Sequence, residues 1–190
     1  MKILYIHGFG SNYSPDNEKI KLLETLGTVI GIDIDYCKRF YSTFNVLIDV
    51  VLEKDIDLIV GTSMGGYMAA MVGEKTNTAF ISLNPVIKPS ETLTHWIGTF
   101  TDYDGNDRCL TEDVVSDYPD ITHNGYGLIL VDSNDEILKA NNTVNLLDNI
   151  FNVKVFNGGN HEFAHMNEAM PLIKLHVDYK EAHKKHLKQA

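Results

Sequence analysis

Apolar residues along the chain fall into two alternating patterns. Short continuous runs rich in β-branched residues occupy residues 3–6, 28–34, 56–60, 78–83, 127–131 and 153–156. Runs of this kind predict strands buried on both faces, since a strand with one wet face alternates polar and apolar positions. Between them, apolar positions recur every three or four residues. Phe44, Leu47, Ile48, Val51 and Leu52 share one helical face, and Ile137, Val144 and Leu147 of residues 136–149, with Ile150 next to them, share another. Residues 18–26 and 64–74 are helical on the same grounds. Strands alternating with helices imply crossover connections, hence a mostly parallel sheet flanked by helices. Residues 1–190 read as one α/β domain, long enough to bury a core without disulfides or structural metal.

One segment breaks the rhythm. Residues 88–124 are polar, carry Asp102-Tyr103-Asp104-Gly105-Asn106-Asp107, and lack a strong period. A connection that long without regular structure is usually functional, which predicts a cap-like insertion over a ligand site. Trp96, Ile97, Phe100 and Tyr103 stand out within it. Trp96 and Phe100 are the residues expected to contact the apolar part of a substrate.

Charge narrows the partners. With 16 Lys plus Arg against 26 Asp plus Glu, the net charge is −10. Such a chain repels phosphate backbones, which argues against nucleic acid as a main partner. In the basic stretch 174–188, five lysines face Asp178 and Glu181, the pattern of a solvated helix end. Cys37 and Cys109 give neither a disulfide framework nor a metal spacing. The apolar N-terminal run is too short for a signal peptide, and no run reaches the ~18 residues of a membrane span. A cytoplasmic protein without a membrane span is expected.

The sharpest motif is Gly61-Thr62-Ser63-Met64-Gly65, which follows a predicted strand and precedes a predicted helix. Glycine and serine are common, so the pattern gains its force from that context: it is the strand–turn–helix setting of a nucleophile elbow. Glycines flank the serine because side chains there would collide with neighbouring backbone. The helix N-terminus behind it favours developing negative charge. An attacked carbonyl needs two preorganised donors for its oxyanion. Met64, the residue after the serine, supplies one N–H; Phe9, in the loop His7-Gly8-Phe9-Gly10 after the first strand, is the candidate for the other. His7 reads as a structural loop histidine.

In such a site the order along the chain is serine, acid, histidine. His161 emerges after a late strand through Asn157-Gly158-Gly159-Asn160, where a general base belongs. For its acid, Asp135 is favoured over Asp132, which sits at a strand tip. Asp135 could equally cap a following helix. His161-Glu162-Phe163-Ala164-His165 also spells H-E-x-x-H, the zinc-hydrolase signature. That chemistry needs both histidines within a formed helix, whereas His161 abuts glycines and is expected at a helix start.

With these residues in place, the chain resembles the α/β-hydrolase superfamily and, within it, the small YqiA-like bacterial esterases. The matching stretches are Tyr5-Ile6-His7-Gly8-Phe9, Gly61 to Tyr67, Leu83-Asn84-Pro85-Val86, Asp135-Glu136-Ile137-Leu138, and Gly158 to Phe163. The resemblance implies hydrolysis of a small-molecule acyl ester or thioester by Ser63, Asp135 and His161, with no cofactor and no metal. Two departures stand out: Asn134 where the family has glycine, and Asn160 where it has aspartate. Asparagine tolerates the left-handed backbone such a turn would need. The alternatives are a zinc hydrolase using His161, Glu162 and His165, or a non-catalytic binding module on the same scaffold.

Overall fold

A computed structural model describes residues 1–187. In chain order come β1 (Lys2–Ile6), α1 (Glu18–Glu24), β2 (Thr28–Gly31), α2 (Phe40–Glu53), β3 (Leu58–Thr62), α3 (Met64–Thr76) and β4 (Ala79–Leu83). Then follow α4 (Pro89–Thr92), β5 (Gly98–Thr101), β6 (Asp107–Leu110), α5 (Glu112–Asp117), β7 (Gly127–Asp132), α6 (Ala140–Leu147), β8 (Asn152–Phe156) and α7 (Met166–Leu187). Six strands form one sheet in the order β2-β1-β3-β4-β7-β8, every neighbouring pair parallel.

Strand side chains alternate between faces, so each central strand feeds two cores. Ile3, Tyr5, Leu58, Val60 and Ile81 pack with Ile20 and Leu23 of α1 and Ala169 and Ile173 of α7. Leu4, Ile6, Ile59, Phe80 and Ile129 pack on the opposite face, with Phe44 and Leu47 of α2, Met68 of α3 and Leu147 of α6. That double burial is why these strands read as continuous apolar runs. Truncating one of them, such as Ile59 or Ile81, to alanine costs ~2–5 kcal/mol.

Several boundaries differ from the periodic reading, each for a tertiary reason. Helix α2 starts at Phe40 because the Asp117 carboxylate, from α5, accepts the Phe40 N–H at 2.9 Å. Helix α6 begins only at Ala140, because Asp135 takes the N–H groups of Ile137 and Leu138 at 2.9 and 2.7 Å. Strand β2 ends at Gly31, and Ile34 instead donates its N–H to His7. Residues 88–124 are more regular than expected: α4, a 3-10 turn, the antiparallel hairpin β5–β6, and α5. Asp102 closes the hairpin by accepting from the N–H groups of Asp104 and Asn106 and pairing with Arg108 at 2.8 Å. On α7, Lys174 pairs with Asp178 at 2.9 Å; of the basic stretch, Lys188 lies outside the described residues. Among the described residues no helix is long and apolar enough to cross a membrane.

Candidate active site

Parallel strands deliver their following loops to one edge of the sheet, and five of those loops meet there. The turn from β3 into α3 holds Ser63 at φ 57°, ψ −119°, a backbone region rare for any residue but glycine. Such strain costs ~1–3 kcal/mol and persists only where the surroundings over-determine it. Here the Ser63 N–H donates to Leu83 at 2.9 Å, while its carbonyl accepts from Tyr67 at 3.1 Å and Val86 at 3.2 Å. Both flanking glycines are obligatory. A Cβ on Gly61 would fall onto the Gly65 carbonyl, and one on Gly65 onto the carbonyl oxygen of Ile6.

The loop after β1 runs beside the serine, so close that a Cβ on Gly8 would lie 3.3 Å from Ser63 Cβ. His7 anchors this loop. Its Nε2 accepts the Ile34 N–H at 2.8 Å, so Nδ1 carries the proton and donates to the Gly8 carbonyl at 2.8 Å. Burial pushes its pKa below the ordinary value, which keeps the ring neutral. Phe9 and Met64 both line the cleft above Ser63. Among the described residues, neither main-chain N–H has a protein acceptor; Met64 opens α3, where such N–H groups lack intrahelical partners.

His161 arrives on the loop between β8 and α7. Its Nε2 lies 3.0 Å from Ser63 Oγ, and its Nδ1 lies 3.0 and 2.9 Å from the two oxygens of Asp135. The side chains are 15% and 2% exposed. A carboxylate only accepts, so Nδ1 carries the hydrogen and the Nε2 lone pair faces the serine hydroxyl. Asp135 is held in turn by the Ile137 and Leu138 N–H groups, and Glu136 accepts the His161 main-chain N–H at 3.0 Å.

Asp132 meets a different partner. Fully buried at the end of β7, it accepts from the N–H groups of Asn160 at 3.2 Å and Ala164 at 2.7 Å, and from His165 Nδ1 at 2.7 Å. The H-E-x-x-H stretch is not helical, and His161 does not stand at a helix start. Phe163 has φ 64°, α7 begins at Met166, and the two histidines bind two different aspartates. Asn134 keeps ordinary backbone and donates its N–H to Gly158 at 3.0 Å, so no left-handed residue is needed there.

Other residues contribute that local patterns did not single out. Asn84, left-handed at φ 42° after β4, donates to the carbonyls of Asn160 and His161 at 2.8 and 3.1 Å and accepts the Asp132 N–H at 2.8 Å. It ties the histidine loop to the sheet; its only signal was the matching stretch Leu83 to Val86. Tyr5 and Lys19 line the cleft as well. Tyr5 bonds Thr62 Oγ1 at 3.1 Å, and burial pushes its phenol up to about 12, so it stays protonated.

The cleft encloses about 250 Å³. Phe9, Trp96 and Phe100 form an aromatic wall on it, with centroid distances of 5.6 Å for Phe9–Trp96, 5.1 Å for Phe9–Phe100 and 5.6 Å for Trp96–Phe100. Its lining also includes the polar groups of Tyr5, Asn17 and Lys19. Ser63 and His161 line the same cleft.

The family model described as "Uncharacterised protein family (UPF0227)" matches residues 2–177. The chain belongs to the UPF0227 family. It is similar to UPF0227 protein YcfP of Escherichia coli O9:H4 (strain HS), 25% identical over 180 residues that cover 90% of this chain and 96% of YcfP. Among solved structures it resembles Est1E from Butyrivibrio proteoclasticus, with a TM-score of 0.71 and 18% identity over 95% of this chain and 88% of that one. Mouse alpha/beta hydrolase domain-containing protein 10 follows at TM-score 0.70 and 16% identity, covering 94% and 90%. A monoacylglycerol lipase of Paleococcus ferrophilus has TM-score 0.70 and 15% identity, covering 93% and 94%. This member of the UPF0227 family has the α/β-hydrolase fold.

Proposed function

We propose that this chain is a serine hydrolase of acyl esters or thioesters that works through an acyl-enzyme on Ser63. The observation that carries the reading is the 3.0 Å approach of His161 Nε2 to Ser63 Oγ, on an imidazole whose other nitrogen is held by the buried Asp135. A structural neighbour named as a monoacylglycerol lipase agrees with it.

Ser63 Oγ attacks the acyl carbonyl carbon while His161 Nε2 takes the hydroxyl proton. Asp135 fixes the tautomer and stabilises the imidazolium. The N–H groups of Phe9 and Met64 receive the oxyanion, and one such donor is worth ~3 kcal/mol. His161 then returns the proton to the leaving oxygen or sulfur. Water repeats the sequence on the acyl-enzyme, giving its proton to His161, which restores the Ser63 hydroxyl. Residues 88–124 act as a cap, with Trp96 and Phe100 walling the acyl side.

A fluorophosphonate tests the nucleophile: it is expected to label the wild type at Ser63 and to leave Ser63→Ala folded, unlabelled and unable to hydrolyse short acyl esters. Labelling of Ser63→Ala, or undiminished turnover, would sink the assignment. The cap is tested with esters of graded acyl length. Each buried CH₂ contributes ~0.8 kcal/mol, roughly fourfold in kcat/KM, so activity climbs with length to a maximum. Trp96→Ala flattens that climb; an unchanged profile would place the acyl pocket elsewhere.

A further inference from the structure

The cleft lining holds a charge that the mechanism does not use. Lys19, in the first turn of α1, is only 8% exposed in a chain of net charge −10. Among the described residues lining the cleft it is the one lysine or arginine. A buried ammonium needs compensation, because water no longer solvates it. Lys19 Nζ donates to the Glu162 carbonyl at 2.6 Å and to Glu162 Oε2 at the longer distance of 3.3 Å.

The two partners differ in kind. The carbonyl belongs to the fixed loop beside His161. The carboxylate sits on a side chain that is 74% exposed, and a pair with so much water on one side holds weakly. Glu162 can therefore swing into solvent and free an ammonium N–H of a residue that lines the cleft. Nearby, Tyr5 offers a protonated hydroxyl. Asp102, also on the cleft, is already matched by Arg108 and does not oppose an incoming anion.

We propose that Lys19 is a specificity-determining residue that receives an anionic group, a carboxylate or a phosphate, on the leaving-group side of the ester, with the Glu162 carboxylate holding its place until substrate arrives. This rests on Ser63 as nucleophile and on the aromatic wall as acyl side. The substrate class is then an ester of an apolar acid with a small alcohol that bears one anionic group.

Calorimetric binding of intact esters to Ser63→Ala tests it without turnover. Three probes suffice: the hexanoyl ester of 3-hydroxypropanoate, its neutral carboxamide, and the hexanoyl ester of 2-hydroxyethyl phosphate. At least one anionic ester should bind roughly tenfold more tightly than the carboxamide, the scale of a hydrogen bond to a charged group. The tighter of the two names the source of the anion. Adding Lys19→Met should abolish the preference, and adding Glu162→Gln should enlarge it severalfold. Equal binding of all three probes, binding of none, or a preference that survives Lys19→Met would overturn the proposal. Should Lys19→Met fail to fold, an unchanged preference in the Glu162→Gln variant overturns it alone. A wild type that fluorophosphonate does not label sinks the hydrolase reading and leaves this binding preference readable.

Discussion

Two aspartate–histidine pairs stand side by side at the carboxyl edge of the sheet, and locally they are near copies. Asp135 binds His161 Nδ1 at 2.9 Å, and Asp132 binds His165 Nδ1 at 2.7 Å. Both carboxylates are buried and both also take main-chain N–H groups. The difference lies at the far nitrogen. His161 Nε2 meets Ser63 Oγ, whereas the ring of His165 stacks on Phe156 at 5.3 Å. A carboxylate–imidazole pair is thus no site in itself. Chemistry needs a third atom within reach, while the same pair without one serves as a clasp that holds residues 157–165 against β7.

The most forceful way to break this comparison is to neutralise each carboxylate in turn. Asp135→Asn should lower kcat by ~10⁴ with the fold intact, because the amide no longer fixes the tautomer of His161. Asp132→Asn should cut kcat far less. A reversed ranking in steady-state kinetics would hand the catalytic role to the other pair.

The clasp predicts a smaller effect of another kind. Asp132→Asn points an NH₂ group toward N–H donors, so urea denaturation should show a stability loss of ~1–3 kcal/mol. A loss confined to activity would mean that Asp132 serves the chemistry and not the loop.

A third histidine sharpens the contrast through its response to pH. His176 on α7 stacks on Tyr126 at 4.2 Å, and its Nε2 lies 3.4 Å from the Tyr126 carbonyl. Burial, with repulsion from Lys180, lowers its pKa from the ordinary 6.5 to about 4. Unfolded, this ring takes a proton near pH 6.5; folded, it refuses one until about pH 4. Between those values the unfolded chain binds more protons, so stability falls as pH falls. His176→Gln should lose less stability than the wild type between pH 7 and pH 4.5 in thermal unfolding. Parallel losses would show that the buried ring does not contribute.

What local sequence determined is what neighbours in the chain impose on one another. Continuous apolar runs specify the central strands buried on two faces, whereas the edge strands β2 and β8, read the same way, are partly exposed because one side of each has no neighbouring strand. Gly61 and Gly65 are required by the steric crowding around Ser63. The chain order of Ser63, Asp135 and His161, and the glycines ahead of His161, were equally legible. Distance in space was not. Asp135 is favoured over Asp132 in sequence because Asp132 sits at a strand tip. Which carboxylate the ring of His161 meets, however, turns on a loop that bends at Phe163 and Gly159, a matter of space and not of local pattern. Helix α2 gained its first turn from Asp117, and α6 lost its own to Asp135, because a helix end is satisfied by whatever acceptor or competitor packs beside it. The hairpin of β5 and β6 rests on side-chain bonds to Asp102, which have no period to detect. Lys19 and Glu162, 143 residues apart, meet only because α1 and the loop after β8 flank the same sheet edge. Backbone sterics and periodicity are short-ranged in sequence, whereas hydrogen bonds and charge pairing depend on separation through space, which folding alone decides.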